Sequence, residues 1–133
     1  MDKTIIIPSD LQKKYDDWHF SPAVQSGGFL FVSGCTGSKP DETISNNVEE
    51  QFRQAFKTVE KSLIEAGLRY SNVIEMTTYH IGLRKHLDTF MLIKDEFIPE
   101  PFPAWTAIGV SELAVEGAII EIRVTAKYNS CIG

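Results

Sequence analysis

From Ala118 to Lys127 the chain alternates without a break. Ala118, Ile120, Ile122, Val124 and Ala126 fall on one side; Ile119, Glu121, Arg123, Thr125 and Lys127 fall on the other. Successive side chains of a strand point to opposite faces, so this stretch is a strand with one buried face and one mixed face. A sheet built on it needs an apolar cover on one side, and two helical patterns supply it. Val48, Phe52, Phe56, Val59 and Leu63 recur at helical spacing, with Ala55 and Ala66 alongside. Ser45, Asn46 and Asn47 offer N-caps, Glu49 and Glu50 sit where the helix dipole favours them, and Gly67 closes the helix. A second helix runs from about Lys85 to Phe97, with Leu87, Phe90, Met91 and Phe97 as its stripe and Pro99, Pro101 and Pro103 as its stop.

Strands account for most of what remains. Lys3 to Ile7 is a short β-branched strand, followed from Pro8 to Trp18 by a charged stretch expected to be a solvated loop. Ala23 to Gln25 and Phe29 to Ser33 form a hairpin around Ser26-Gly27-Gly28, and Gly34 to Thr43 is a loop. Val73 to Ile81 places Ile74, Met76, Thr78 and His80 on one face. Ala104 to Val110 and Ala118 to Tyr128 are expected to form a second hairpin. The order β-β-β-α-β-α-β-β packs most economically as an α+β fold, a six-stranded mixed sheet with two helices on one face. Tyr79 and Ile119 point to the uncovered face, which must be solvated or buried against another copy. With 133 residues, no repeat and no linker, residues 1–133 read as a single domain.

Composition narrows the function. No apolar run approaches the roughly 20 residues of a membrane helix, and MDKTIIIPSD is not a secretory signal. A net charge of -5 repels phosphate backbones, which argues against a nucleic-acid partner. Cys35 and Cys131 allow one bridge, but two thiols in such a chain fit a reducing cytoplasm better. His19, His80, His86 and the two cysteines lack C-x-x-C or H-x-x-x-H spacing, so no metal is expected. Gly27, Gly28, Gly34 and Gly37 open no helix and cradle no phosphate, and no cofactor is expected.

FSPAVQSGGFLFVSG (20–34), EAG closing the first helix (65–67), FPAWT (102–106) and IEI (120–122) together resemble the Rid family, also called YjgF or L-PSP. The likeness runs over nearly the whole chain, in order and spacing. It implies a chorismate-mutase-like fold, a homotrimer with three intersubunit clefts, and hydrolysis of reactive enamines and imines. In active members a glutamate near the end of the last strand activates water, and a serine and a tyrosine line the cleft. An arginine after the Pro-Ala pair grips the substrate carboxylate. Carried over, Glu121 matches the glutamate and Ser33 the serine; Phe20 stands at the tyrosine, Trp105 at the arginine, and Ala107 at a cysteine that lines some members' pockets. Indole has one N–H and no charge, whereas a guanidinium holds a carboxylate through two parallel bonds. The chain is therefore closest to a divergent subgroup with tryptophan at this position.

Each residue has a plainer reading. Glu121 could be a solvated strand carboxylate paired with Arg123 or Lys127, and Trp105 a packing or interface aromatic. His80 could be a satisfied half-buried side chain, and Cys35 a small buried residue, although both could face the cleft. His19 shares that ambiguity, His86 begins a helix, and Cys131 is incidental. Two functions follow. One is hydrolysis of an imine or enamine with Glu121 positioning water, Trp105, Ser33, Phe20, Ala107, Cys35 and His80 around the substrate, and Arg123 as a candidate substitute cation. The alternative is a non-catalytic small-molecule binding or sensor module using the same cleft.

Overall fold

The computed structural model describes residues 2–129, so Cys131 lies outside the described residues. The elements are β1 (Thr4–Ile6), α1 (Gln12–Trp18), β2 (Ala23–Ser26), β3 (Phe29–Thr36), α2 (Val48–Glu65), β4 (Val73–His80), α3 (Leu83–Phe97), β5 (Ala104–Gly109) and β6 (Ile120–Lys127). One six-stranded sheet has the order β1-β2-β3-β6-β4-β5. The alternating strand β6 takes a central place, antiparallel to both β3 and β4. Its inward side chains Ile120, Ile122, Val124 and Ala126 are all buried.

The expected hairpin between β5 and β6 does not form. β5 instead pairs in parallel with β4, setting Trp105 beside Met76 and Ala107 beside Thr78. A parallel pair needs a long crossover, and the 15-residue α3 supplies it. Two other expectations are corrected at bulges and helix faces. A shift between Val73 and Glu75 turns Val73 inward and leaves Ile74 exposed, so Ile74 does not join Met76, Thr78 and His80. On α3 the buried residues are Phe90, Ile93 and Lys94, while Met91 faces out, because packing against β5 rotates the stripe.

The core lies between the sheet and the longer helices. Phe52, Phe56, Val59 and Leu63 of α2 pack onto Leu30, Val32, Met76 and the β6 residues, each large side chain contributing about 2 kcal/mol through burial. Phe56 stacks on Phe97 at 5.0 Å and on Phe90 at 5.5 Å, locking α2 to α3. Asn47 caps α2 by accepting the Glu50 N–H at 2.9 Å. At the other end Gly67 adopts φ 79°, and Leu68 N–H reaches the Leu63 carbonyl at 2.8 Å.

Pro8 to Trp18 is not a loop. A 3-10 turn at Ser9–Leu11 runs directly into α1. Polar side chains four residues apart pair along the helix, the Gln12 amide donating to Asp16 at 3.1 Å and Lys13 forming an ion pair with Asp17. Lys61 of α2 holds Asp10 at 2.9 Å, and Pro8 and Leu11 are the residues this segment buries. The fold thus carries three helices. Among the described residues no helix is long and apolar enough to cross a membrane.

Candidate functional site

β2 accompanies β3 only as far as Val32, so residues 33–36 continue without a β2 neighbour. Here β3 also slips its register against β6, with Ser33 and Gly34 in the irregularity between Val32 and Cys35. Gly34 to Thr36, expected to begin a loop, therefore continue the strand through a bulge, a device that re-aims side chains. α1 stands over this opening, and a pocket of about 320 Å3 lies between them. Ser33, Gly34, Cys35 and Glu121 line it from the sheet, Thr58 and Lys61 from α2, and Lys14, Trp18 and Phe20 from α1 and the segment after it. Ala114 and Val115 close another side.

Glu121 crosses Gly34. A methyl group there would overlap the carboxyl, 2.7 Å from its Cδ, so a side chain at 34 would push the carboxylate aside and glycine lets it stay at the crossing. Among the described residues the Glu121 carboxylate accepts no hydrogen bond and joins no ion pair, and burial raises its pKa above the usual carboxylate value. A carboxyl of this kind exchanges protons closer to neutral pH than a solvated one. Ser33 Oγ donates to the Ser21 carbonyl at 2.7 Å and keeps its lone pairs for a ligand donor. Cys35 Sγ rests 3.3 Å from the Ser33 carbonyl. Burial, reinforced by the Glu121 charge, pushes its thiol up to about 12, so it is not a nucleophile at neutral pH.

The remaining expected site residues stand elsewhere. Trp105, Ala107 and His80 lie on the helix-covered side of β4 and β5 and do not line the pocket. Thr78 gathers two of them: Trp105 Nε1 donates to its Oγ1 at 2.9 Å, and His80 Nε2 is 2.7 Å from the same oxygen. His80 is 1% exposed, its Nδ1 has no partner, and burial lowers its pKa to about 4, so it is neutral at physiological pH. Lys94 Nζ lies 4.9 Å from the Trp105 ring and 5.3 Å from that of Phe102. A cation already occupies the neighbourhood of Trp105, which differs from a free indole face awaiting a ligand. Arg123 is exposed on β6 and does not line the pocket. Among the described residues no group of His, Cys, Asp and Glu is placed to hold a metal.

Sequence reasoning missed the α1 wall with Lys14 and Trp18. Its signal was the spacing Gln12–Asp16, Lys13–Asp17 and Lys14–Trp18, three pairs four residues apart that mark a helix rather than a loop.

The family model described as Endoribonuclease L-PSP matches residues 15–128. The RutC family protein YjgH of Escherichia coli (strain K12) is 34% identical over 128 residues, 96% of each chain. The chain belongs to the Rid (YjgF, L-PSP) family. A solved structure of Protein YJGH superposes with a TM-score of 0.89 over 98% of this chain and 99% of that one. The Rid fold, a chorismate-mutase-like α+β arrangement, is thereby shown for this chain. Another relative, the 2-iminobutanoate/2-iminopropanoate deaminase of Dermatophagoides farinae, is 31% identical over 110 residues, 78% of this chain and 81% of its own.

Proposed function

We propose that this Rid-family protein hydrolyses small reactive imines or enamines in the pocket under α1, with Glu121 as the general base. The observation that carries the reading is an unpartnered, half-buried carboxylate with a raised pKa, laid across Gly34 beside Ser33. The water oxygen adds to the carbon of the C=N bond while Glu121 accepts its proton. That proton then passes to nitrogen, and the carbinolamine collapses to a carbonyl compound and ammonia. Atoms balance as imine plus water giving ketone plus ammonia. The deaminase named among the relatives supports the same chemistry. The test is release of pyruvate and ammonia from 2-aminoacrylate generated in situ by a serine dehydratase. Native protein accelerates release and Glu121→Gln abolishes it without unfolding; equal rates in the two proteins overturn the reading.

The same reading includes the homotrimer that the family resemblance implies. Exposed Ile5, Phe31 and Ile108 on the uncovered sheet face support association.

A second reading keeps the pocket and drops the chemistry. It is favoured by Trp105, whose N–H is committed to Thr78 and whose face is shared with Lys94, leaving neither for a substrate carboxylate. The pocket, rimmed by Trp18 and Phe20, would then bind a small planar ligand as a sensor or carrier. Ligands that raise the melting temperature equally in native protein and Glu121→Gln, with no turnover in either, select this reading.

A further inference from the structure

Four lysines stand around the pocket, and they are not equivalent. Lys61 is held by Asp10 at 2.9 Å, and Lys13 by Asp17 and by Glu42 at 3.7 Å. Lys39 is exposed at the mouth. Lys14 is half-buried, with its ammonium 5.3 Å from the centre of the Trp18 ring, and among the described residues it pairs with no carboxylate. Lys14, Cys35 and Glu121 line the same pocket, and the charges of Lys14 and Glu121 both act on the Cys35 thiol, in opposite senses. The two charges do not meet in an ion pair. Of the two lysines in the lining that join no ion pair among the described residues, Lys39 is exposed and Lys14 half-buried, so the pocket presents one sheltered, unpaired cation and one unpaired carboxylate, an arrangement that fits a ligand carrying a carboxylate next to a polar carbon.

We propose that Lys14 on α1 holds the carboxylate of a small 2-imino or 2-oxo acid in this pocket, with the reacting carbon turned toward Glu121. The inference rests on the hydrolytic reading for its substrate class, but not for its binding prediction. An ammonium on a flexible stem is a point charge with three donors, less orienting than a planar guanidinium. The ligand's direction must then be fixed at its other end by Ser33 and Glu121. The Trp18 ring keeps the ammonium at the wall while leaving its donors free for an anion. Arg123, the other candidate cation, stands outside this lining.

The test separates the grip from the chemistry. Pyruvate and 2-oxobutanoate, which cannot be deaminated, are titrated into native protein, Lys14→Gln and Lys14→Arg. The Trp18 indole N–H resonance, assigned by its loss in Trp18→Phe, is the readout. Saturable shifts in native protein, a dissociation constant at least tenfold weaker in Lys14→Gln, and recovery in Lys14→Arg are the expected result. Failure of either acid to move the Trp18 resonance in native protein, or equal affinity in Lys14→Gln, overturns the proposal. In the 2-aminoacrylate assay Lys14→Gln raises KM at least tenfold with kcat little changed, and an imine lacking a carboxylate shows no such difference. Carboxylate binding that depends on Lys14 without turnover in native protein removes the hydrolytic reading and leaves the grip standing.

Discussion

Two buried titratable side chains, Glu121 and His80, have opposite linkage to folding. Burial raises the Glu121 pKa above that of the unfolded chain. Its protonated form is therefore favoured in the folded state, and stability from this group is present at low pH and lost as pH rises through the folded pKa. Glu121→Gln is accordingly more stable than native protein at pH 7, the difference shrinking as pH falls through the raised folded pKa of Glu121, measured by urea unfolding. A variant that loses turnover and gains stability separates function from structural need. His80 behaves the other way. Its folded pKa near 4 lies below the unfolded value of 6.5, so its contribution is present above pH 6.5 and is lost as pH falls toward 4. The loss at pH 4 is about 3 kcal/mol, from 1.36 kcal/mol per pKa unit. Because Glu121 has the opposite linkage, the comparison that isolates His80 is native protein against His80→Gln, which shows a smaller fall between pH 7 and pH 4. Glu121 was singled out in the sequence by the family resemblance around IEI, but its lack of partners was not legible, since Arg123 and Lys127 stood equally near in sequence.

At the scale of elements, the β3 bulge and the β4–β5 pair decide what the side chains can do. The bulge brings Glu121 over Gly34, so any side chain at 34 must displace it. Gly34→Ala destabilises native protein by about 2 kcal/mol, as overpacking does, and the cost falls to less than half in a Glu121→Ala background, a coupling read from a double-mutant cycle. On β4 and β5, the Thr78 hydroxyl takes the Trp105 N–H while Lys94 lies over the indole. Trp105→Arg would strip the donor from a buried hydroxyl and set a second cation beside Lys94. It lowers stability by about 2 kcal/mol and does not raise ammonia release from 2-aminoacrylate. A gain of turnover in that variant would show that the position still faces substrate. The sequence pattern located these strands and both long helices, because alternation and helical spacing are local. It gave no sign of either bulge, since an extra residue is registered only against the neighbouring strand. The pairing of β5 with β4 was equally hidden, because closeness in sequence favoured β6.

For the whole molecule, the uncovered face of the sheet is the open question of energetics. Ile5, Val24 and Phe31 form one row across β1, β2 and β3, and Ile108 and Tyr79 another across β5 and β4. Light scattering after size exclusion gives the mass of three chains, and Phe31→Glu or Ile108→Glu reduces it, because an ionised carboxylate in an interface core is uncompensated. A native mass of one chain removes the trimer. The sequence by itself determined the α+β class, the strand and helix periods, the capping of α2 and the family, all of which are written in spacing between near neighbours. Only the tertiary structure decided that the charged stretch from Asp10 to Trp18 is a helix forming a pocket wall, because its ion pair to α2 and its burial of Leu11 are long-range. It also decided that Glu121 and Lys14 face one cavity while Trp105 and His80 face α3. Which side chains share a cavity depends on strand order, register and a bulge, quantities that have no value until the strands have met.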